Sequence, residues 1–214
     1  MMKKLVLTGL LVAAGLASAG YAADAAAPKG PDTDYKTTPA GTYVLDNSHA
    51  SIVWKVWHMG TSHFAGRFDK ISGTATVNPA DLNKSGVVIT VDSGSGDTNV
   101  PKLDGELKEA DYFNAEKYPA ITFTSTKIEL TGKTADGKDA GKITGMLSML
   151  GVTKPVVLDV VFNGHGVSPM GGPERMGFNA TTTIKRSDFG FTKLVPLVSD
   201  EVELEIAAEF SKAS

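Results

Sequence analysis

One stretch near the end of the chain is compatible with a single kind of backbone. From 201 to 210, Val202, Leu204, Ile206, Ala208 and Phe210 alternate with Glu201, Glu203, Glu205, Ala207 and Glu209. A strand sends successive side chains to opposite faces, so this segment has one dry face and one wet, acidic face. A helix would scatter the same glutamates around its circumference. The glutamates read as a solvated face rather than a metal site.

Period two also governs the chain upstream, from Gly41 onward. Ile52, Trp54, Val56 and His58 share a face opposite Ser51, Val53, Lys55 and Trp57, and Lys55 marks that second face as the wet one. Phe64, Gly66 and Phe68 begin a strand that continues to about Val77. Val87, Ile89 and Val91 form a further dry face, and Ile121, Phe123 and Ser125 another after Pro119. Ile143 to Met149 and Val156 to Phe162 pair across a connection of Gly151 to Pro155. Phe178, Ala180, Thr182 and Ile184 alternate before Arg186. One segment has helical spacing, Pro101 to Tyr112, with Leu103, Leu107 and Ala110 on one side.

The pattern amounts to about eight strands and one short helix, without the rhythm of parallel crossover units. The fold class is all-β and antiparallel, in one domain over 41–212. Eight such strands can close into a barrel able to hold one small ligand. A sandwich is the rival that alternation alone does not separate.

The N-terminal residues have a different character. Lys3 and Lys4 precede an apolar run from Leu5 to Leu16, and Ala17-Ser18-Ala19 has the small-x-small form of a cleavage site. Met1 to Ala19 is therefore expected to be a removable export signal, with cleavage as late as Ala22. Its loss takes the formal charge from −3 to −5. The expected location is the bacterial periplasm. Gly20 to Ala40, rich in Ala, Pro, Asp and Thr, is expected to be a flexible lead-in.

The small net negative charge argues against nucleic acid as a partner. The absence of cysteine excludes disulfides, thiolate metal sites and cysteine nucleophiles. The histidines have no zinc-ligand spacing, and neither a nucleophile elbow nor a phosphate loop is present. No catalytic, metal or cofactor site is expected. Arg186-Ser187-Asp188 reads as a structural salt-bridge corner, and His49 and His165 as residues of turns.

Large rings on the dry faces are mixed with small or polar residues at inward positions, namely Gly66, Gly145, Ser125, Thr182 and His58. Rings beside gaps can line an elongated apolar slot; they also occur in an ordinary uneven β core. His58, inward beside Val56 and Trp54, is either a hydrogen-bonded core residue or the polar contact of a ligand head group.

A set of motifs in order resembles the YceI-like proteins, periplasmic lipid-binding proteins of bacteria. They are Tyr43 to His49 leading to Trp57-His58; Phe64 to Phe68 with Gly73; Leu107 to Pro119 followed by Ile121 to Ser125; Gly145 to Pro155; and Lys185 to Gly190 with Val198 to Val202. The resemblance implies an eight-stranded antiparallel, lipocalin-like barrel that binds a polyisoprenoid, an isoprenoid quinone or a related amphiphile. Carried over by position, Trp54, Val56, His58, Phe64, Phe68, Phe123 and Phe178 would line the pocket. Arg186 and Asp188 would fall in the family's R-x-D-F-G corner. The chain departs from the family pattern at Tyr112, Met146 and Ser148, and in the Gly- and Met-rich stretch from Gly164 to Pro173.

The expected function is carriage of a long isoprenoid-type lipid, with brief membrane contact for ligand exchange. Trp57 on the wet face offers a surface on which two copies could pair. The alternatives are an enzyme acting on such a lipid with His58 as acid or base, and a redox partner that holds a quinone.

Overall fold

The computed structural model describes residues 30–213. The expected export signal and the lead-in up to residue 29 lie outside the described residues. Among those described, the elements run β1 (Gly41–His58), β2 (Ser62–Phe68), β3 (Ile71–Val77), β4 (Gly86–Asp92), β5 (Gly96–Asp97), α1 (Pro101–Glu106), β6 (Ala120–Lys133), β7 (Asp139–Met149), β8 (Val152–Val167), β9 (Glu174–Lys185) and β10 (Glu201–Lys212).

Eight strands close an antiparallel barrel in the order β1, β3, β4, β6, β7, β8, β9, β10 and back to β1. The closing pair sets Trp54 opposite Leu204 and Lys55 opposite Glu203. The alternation in β10 therefore works as the sequence predicts: Val202 and Phe210 are buried while Glu201, Glu203 and Glu205 are exposed and Glu209 is half-buried. Outward side chains pair across strands, as in Lys55–Glu205 and Lys142–Asp159, both at 2.5 Å. Such exposed pairs stabilise little. They do show that the charged face is outside and the apolar face inside, the reverse of a barrel that crosses a membrane.

β1 is long enough to serve two partners along one edge. Gly41 to Val44 pair with β3, and Ile52 to His58 pair with β2. The single strand expected from Phe64 to Val77 is thus two, broken at Asp69 and Lys70. Opposite the break, β1 slips register between Leu45 and Ala50. Asn47 bridges the gap: its Oδ1 accepts from the Ile71 N–H at 2.6 Å and its Nδ2 donates to the Asp69 carbonyl at 3.1 Å. Beside it, the Ser48 hydroxyl and then the His49 ring hold the Asp46 carboxyl down to about 2.

Three other expectations need correction. The β7–β8 connection is only Leu150-Gly151, both with positive φ, which is a two-residue hairpin turn. Val152 to Pro155 already belong to β8. The helix stops at Glu106 rather than Tyr112, because Gly105 weakens its continuation and Leu107 and Phe113 turn inward to be buried. The stretch 31–40, expected to be flexible, lies across one end of the barrel with Tyr35 and Thr38 buried.

The corner after β9 is held by one side chain. Arg186 is 4% exposed and donates to the carbonyls of Ser199, Lys193 and Val198 at 2.7–2.8 Å, and more weakly to Phe191. Its plane lies over the Phe191 ring. The expected salt bridge to Asp188 is not formed: the guanidinium spends its hydrogen bonds on carbonyls, and Asp188 is exposed. A planar guanidinium has enough fixed donors to organise several carbonyls, which a carboxylate partner would have competed for. The nearby acid is Asp200, whose carboxylate accepts from the Ser187 N–H and hydroxyl at 2.9 and 2.7 Å.

Two inward glycines receive rings. A Cβ at Gly66 would overlap the indole of Trp54, its direct cross-strand partner, and one at Gly145 would overlap the Phe123 ring. Each ring lies flat on a neighbouring strand instead of projecting into the middle. Gly66→Ala should push the indole off the wall and destabilise the protein by about 1–3 kcal/mol, the usual cost of overpacking, measured as a lower urea midpoint. Hydrogen bonds from Ser187 hold the Asp200 carboxyl below its ordinary range, so this contribution is present at neutral pH and is lost as pH falls through the depressed value. Asp200→Asn should lower the urea midpoint at neutral pH and flatten its decline in acid.

Candidate functional site

The interior of the barrel is hollow. A cavity of about 430 Å³ runs through it, within the size range of small-molecule sites. Ile52, Ile89, Leu147, Val160 and Leu204 supply aliphatic wall around its middle. The rings gather toward the two ends. At the end where β1 begins, Phe162 meets Tyr35, Phe178 and His165, and Phe178 meets Phe210. At the other end, Phe68, Phe113, Phe191 and Tyr112 form an edge-to-face chain with centroids 5.2–5.8 Å apart.

All seven residues named from the sequence, Trp54, Val56, His58, Phe64, Phe68, Phe123 and Phe178, lie on the wall of this cavity. Strand alternation on β1, β2, β6 and β9 puts them there. Of the small inward residues, Gly66 and Gly145 are beds for rings rather than gaps. Ser125 accepts from the Val87 N–H at 2.8 Å and joins β6 to β4. Thr182 lines the cavity but spends its hydroxyl on the Val157 carbonyl. Tyr112, one of the departures from the family pattern, is also on the wall, whereas Met146 points outward.

The two ends differ in access. Met176, Phe162 and Phe210, near the end where β1 begins, are at most 3% exposed. At the opposite end Leu194 lines the cavity and is 43% exposed, beside His58, Phe64, Lys193 and Val198. The mouth is therefore at the His58 end. Two backbone hydrogen bonds attach the 194–199 segment there, Met59 N–H to Leu197 and Ser199 N–H to Trp57, at 2.8 and 2.9 Å. Exposed Met59, Leu194 and Leu197 give this rim an apolar lip.

Polar groups on the wall are few and mostly engaged. Lys193 is tied to Asp111 at 2.6 Å, which holds its ammonium pKa up. Burial pushes the Arg186 guanidinium down, though it stays charged. The buried Trp54 Nε1 has no hydrogen-bond partner among the described residues. The His58 ring touches Phe64, with centroids 6.0 Å apart, and makes no hydrogen bond to any described residue. His58 is thus a half-buried imidazole with free hydrogen-bonding capacity at the cavity mouth.

Sequence reasoning missed Tyr35, Leu194 and Val198, which lie in segments without periodicity. It also misplaced His165. That residue is in β8, with Nδ1 2.6 Å from Glu174 and Nε2 3.0 Å from the Thr37 hydroxyl. Trp57 is 44% exposed and packs edge-on against His63.

Comparison with known proteins agrees with this architecture. The family model described as a YceI-like domain matches residues 43–210. UPF0312 proteins are similar to the chain. One from Vibrio cholerae is 38% identical over 172 residues, covering 79% of this chain and 87% of that protein. Another, from Pseudomonas aeruginosa, is 35% identical over 208 residues, covering 97% and 98%. Among solved structures, a Campylobacter jejuni YCEI protein superposes with a TM-score of 0.62 at 32% identity, covering 74% of this chain and 90% of that one. Burkholderia cenocepacia BcnA gives 0.67 at 24%, covering 77% and 98%. A polyisoprenoid binding domain from Saccharophagus degradans implicated in plant cell wall breakdown gives 0.61 at 13%, covering 82% and 100%. With the family model spanning nearly the whole barrel and relatives well above 30% identity, the chain belongs to the YceI-like family.

Proposed function

We propose that the protein is a periplasmic carrier that holds a long-chain isoprenoid amphiphile inside the barrel, with the tail in the apolar interior and the polar head at His58. The observation that carries this reading is the cavity itself: a tunnel of about 430 Å³ walled almost wholly by carbon, running from the buried Phe162, Met176 and Phe210 to the exposed Leu194. Burying apolar chain there is favoured by roughly 25 cal/mol per Å² before ordering costs. The polyisoprenoid-binding domain of the same fold supports the ligand class. The basic start, apolar run and small-x-small site of the N-terminus support export. Ligand exchange takes place at a membrane, where the lip of Met59, Leu194 and Leu197 has a suitable apolar surface.

Carriage fits the site better than catalysis. A general base needs an orienting partner, and the His58 ring has none among the described residues. What His58 offers is one hydrogen bond to a head group. An enzyme using a bound quinone would need the further groups that hold and polarise the reacting carbonyl.

Organic extraction of protein purified from its native host, followed by mass spectrometry, should release one isoprenoid-type molecule per chain. Repeated recovery of empty protein would count against carriage. Ala180 lines the cavity. Ala180→Trp should fill the lumen and weaken binding by at least about tenfold, while thermal unfolding shows the barrel intact; in a solid core it would instead cost about 1–3 kcal/mol. His58→Leu should weaken binding of a headed ligand by about three- to tenfold, the loss of one hydrogen bond, and leave a headless hydrocarbon of equal length unaffected. Isothermal titration calorimetry would report both titrations.

A further inference from the structure

The closed end of the cavity is shut by chain that is not part of the barrel. Residues 31–40 cross it as a strap before β1 begins. Asp32 and His165 exchange two backbone hydrogen bonds, at 2.9 and 2.8 Å. The Thr37 hydroxyl sits 3.0 Å from His165 Nε2. The Asp139 carboxylate at the start of β7 accepts from the Tyr35 N–H at 2.8 Å, and the Tyr43 hydroxyl on β1 donates to the Pro39 carbonyl at 2.7 Å. The strap is therefore fastened to β8, β7 and β1 by groups other than the Tyr35 side chain.

Tyr35 is the one strap residue on the cavity wall, and it is 7% exposed. Its ring stands edge-on to Phe162 of β8 at 5.6 Å, and its hydroxyl lies 3.2 Å from that of Ser85, just ahead of β4. In the barrel order β4 and β8 are separated by β6 and β7. The side chain thus reaches across the end of the lumen from one wall toward another. A phenol ring does not compress, and the bonds that hold the strap leave it no room to retreat.

We propose that Tyr35 is the floor of the cavity and sets the longest apolar chain the barrel accepts. This inference rests on the reading of the barrel as a carrier of chain-like amphiphiles, and it names the residue that measures their length. Because the strap is anchored through backbone atoms and through Asp32, Thr37, Tyr43 and Asp139, the Tyr35 side chain can be changed without releasing it.

The test uses ligand-stripped protein and two probe series of graded length, isoprenoid alcohols and straight-chain n-alkanols, with binding followed by isothermal titration calorimetry. In the wild type, affinity should climb with length and then break at a limit. Tyr35→Ala should move the limit to longer chains, with about a fourfold gain for each methylene newly admitted. Tyr35→Trp should move it to shorter chains, and Tyr35→Phe should leave it in place. If Tyr35→Ala fails to fold, the contrast between Tyr35→Trp and Tyr35→Phe decides the matter. A limit that is the same in all variants overturns the proposal. If n-alkanols show a movable limit and isoprenoid alcohols do not bind, the floor stands and isoprenoid carriage falls. If neither series binds the wild type, both fall.

Discussion

The cavity exists because large rings lie on glycines. Aromatic side chains on the inner face of a small barrel would ordinarily meet in the middle and fill it, since eight strands leave an interior just wide enough for side chains. Here the Trp54 indole lies on Gly66 and the Phe123 ring on Gly145, so the space each ring would have taken in the lumen is taken from the wall instead. A β-strand has no other residue that permits this, because any Cβ at those positions occupies the place of the ring. The other rings cluster at the two ends and leave aliphatic side chains around the middle. Hollowness therefore comes from where the glycines stand, not from a shortage of bulky residues.

The same economy appears in how the barrel closes. β1 replaces one neighbour with another along its length, and such a change ordinarily leaves backbone groups unpaired at the join. The Asn47 side chain supplies a donor and an acceptor where β2 ends and β3 begins. Arg186 does comparable work at the opposite end, gathering carbonyls of the segment that forms the mouth. Both are polar side chains serving backbone groups, and both lie in motifs that carry the family resemblance. Their role is architectural: one lets a long strand turn the barrel, the other fixes the rim through which a ligand would pass.

Much of this was legible in the sequence. Alternation put Trp54, Val56, His58, Phe64, Phe68, Phe123 and Phe178 each on the dry face of its own strand, because the period of a strand decides facing without knowledge of partners; the family resemblance is what joined them into one pocket. Alternation could not tell a gap from a bed: Gly66 and Gly145 look like holes until the cross-strand neighbour is known. Nor could it find the strand break at Asp69, since the alternation of Phe64 to Val77 passes through it and only the register of β1 reveals it. Tyr35 and Leu194 were invisible for a different reason. Each lies in a segment with no periodicity, held by contacts to residues more than a hundred positions away or by the carbonyl clasp of Arg186. In the sequence Arg186 reads as half of a salt bridge because its acidic neighbour Asp188 is close, while its actual partners are carbonyls assembled by the fold.

The two ends of the tunnel are chemically unlike, and that difference gives the cavity a direction. At the strap end the wall is rich in rings, the Tyr35 hydroxyl is paired with that of Ser85, and the Asp139 carboxylate behind it accepts from the Tyr35 N–H and from Lys133. At the mouth, the His58 imidazole has hydrogen-bonding capacity to spare and Lys193 carries a charge beside it. A molecule with an apolar tail and a polar head gains most by entering tail first. Its tail then loses contact with water along the whole tunnel, and its head stops where solvent and His58 can still solvate it. The reverse orientation would bury the head among Phe162, Phe178 and Phe210, where the Tyr35 and Ser85 hydroxyls are already paired with each other, at a cost of about 1–3 kcal/mol or more for each polar group left stranded. Orientation is thus decided by the penalty at the closed end as much as by attraction at the open one, and it requires no charged clamp.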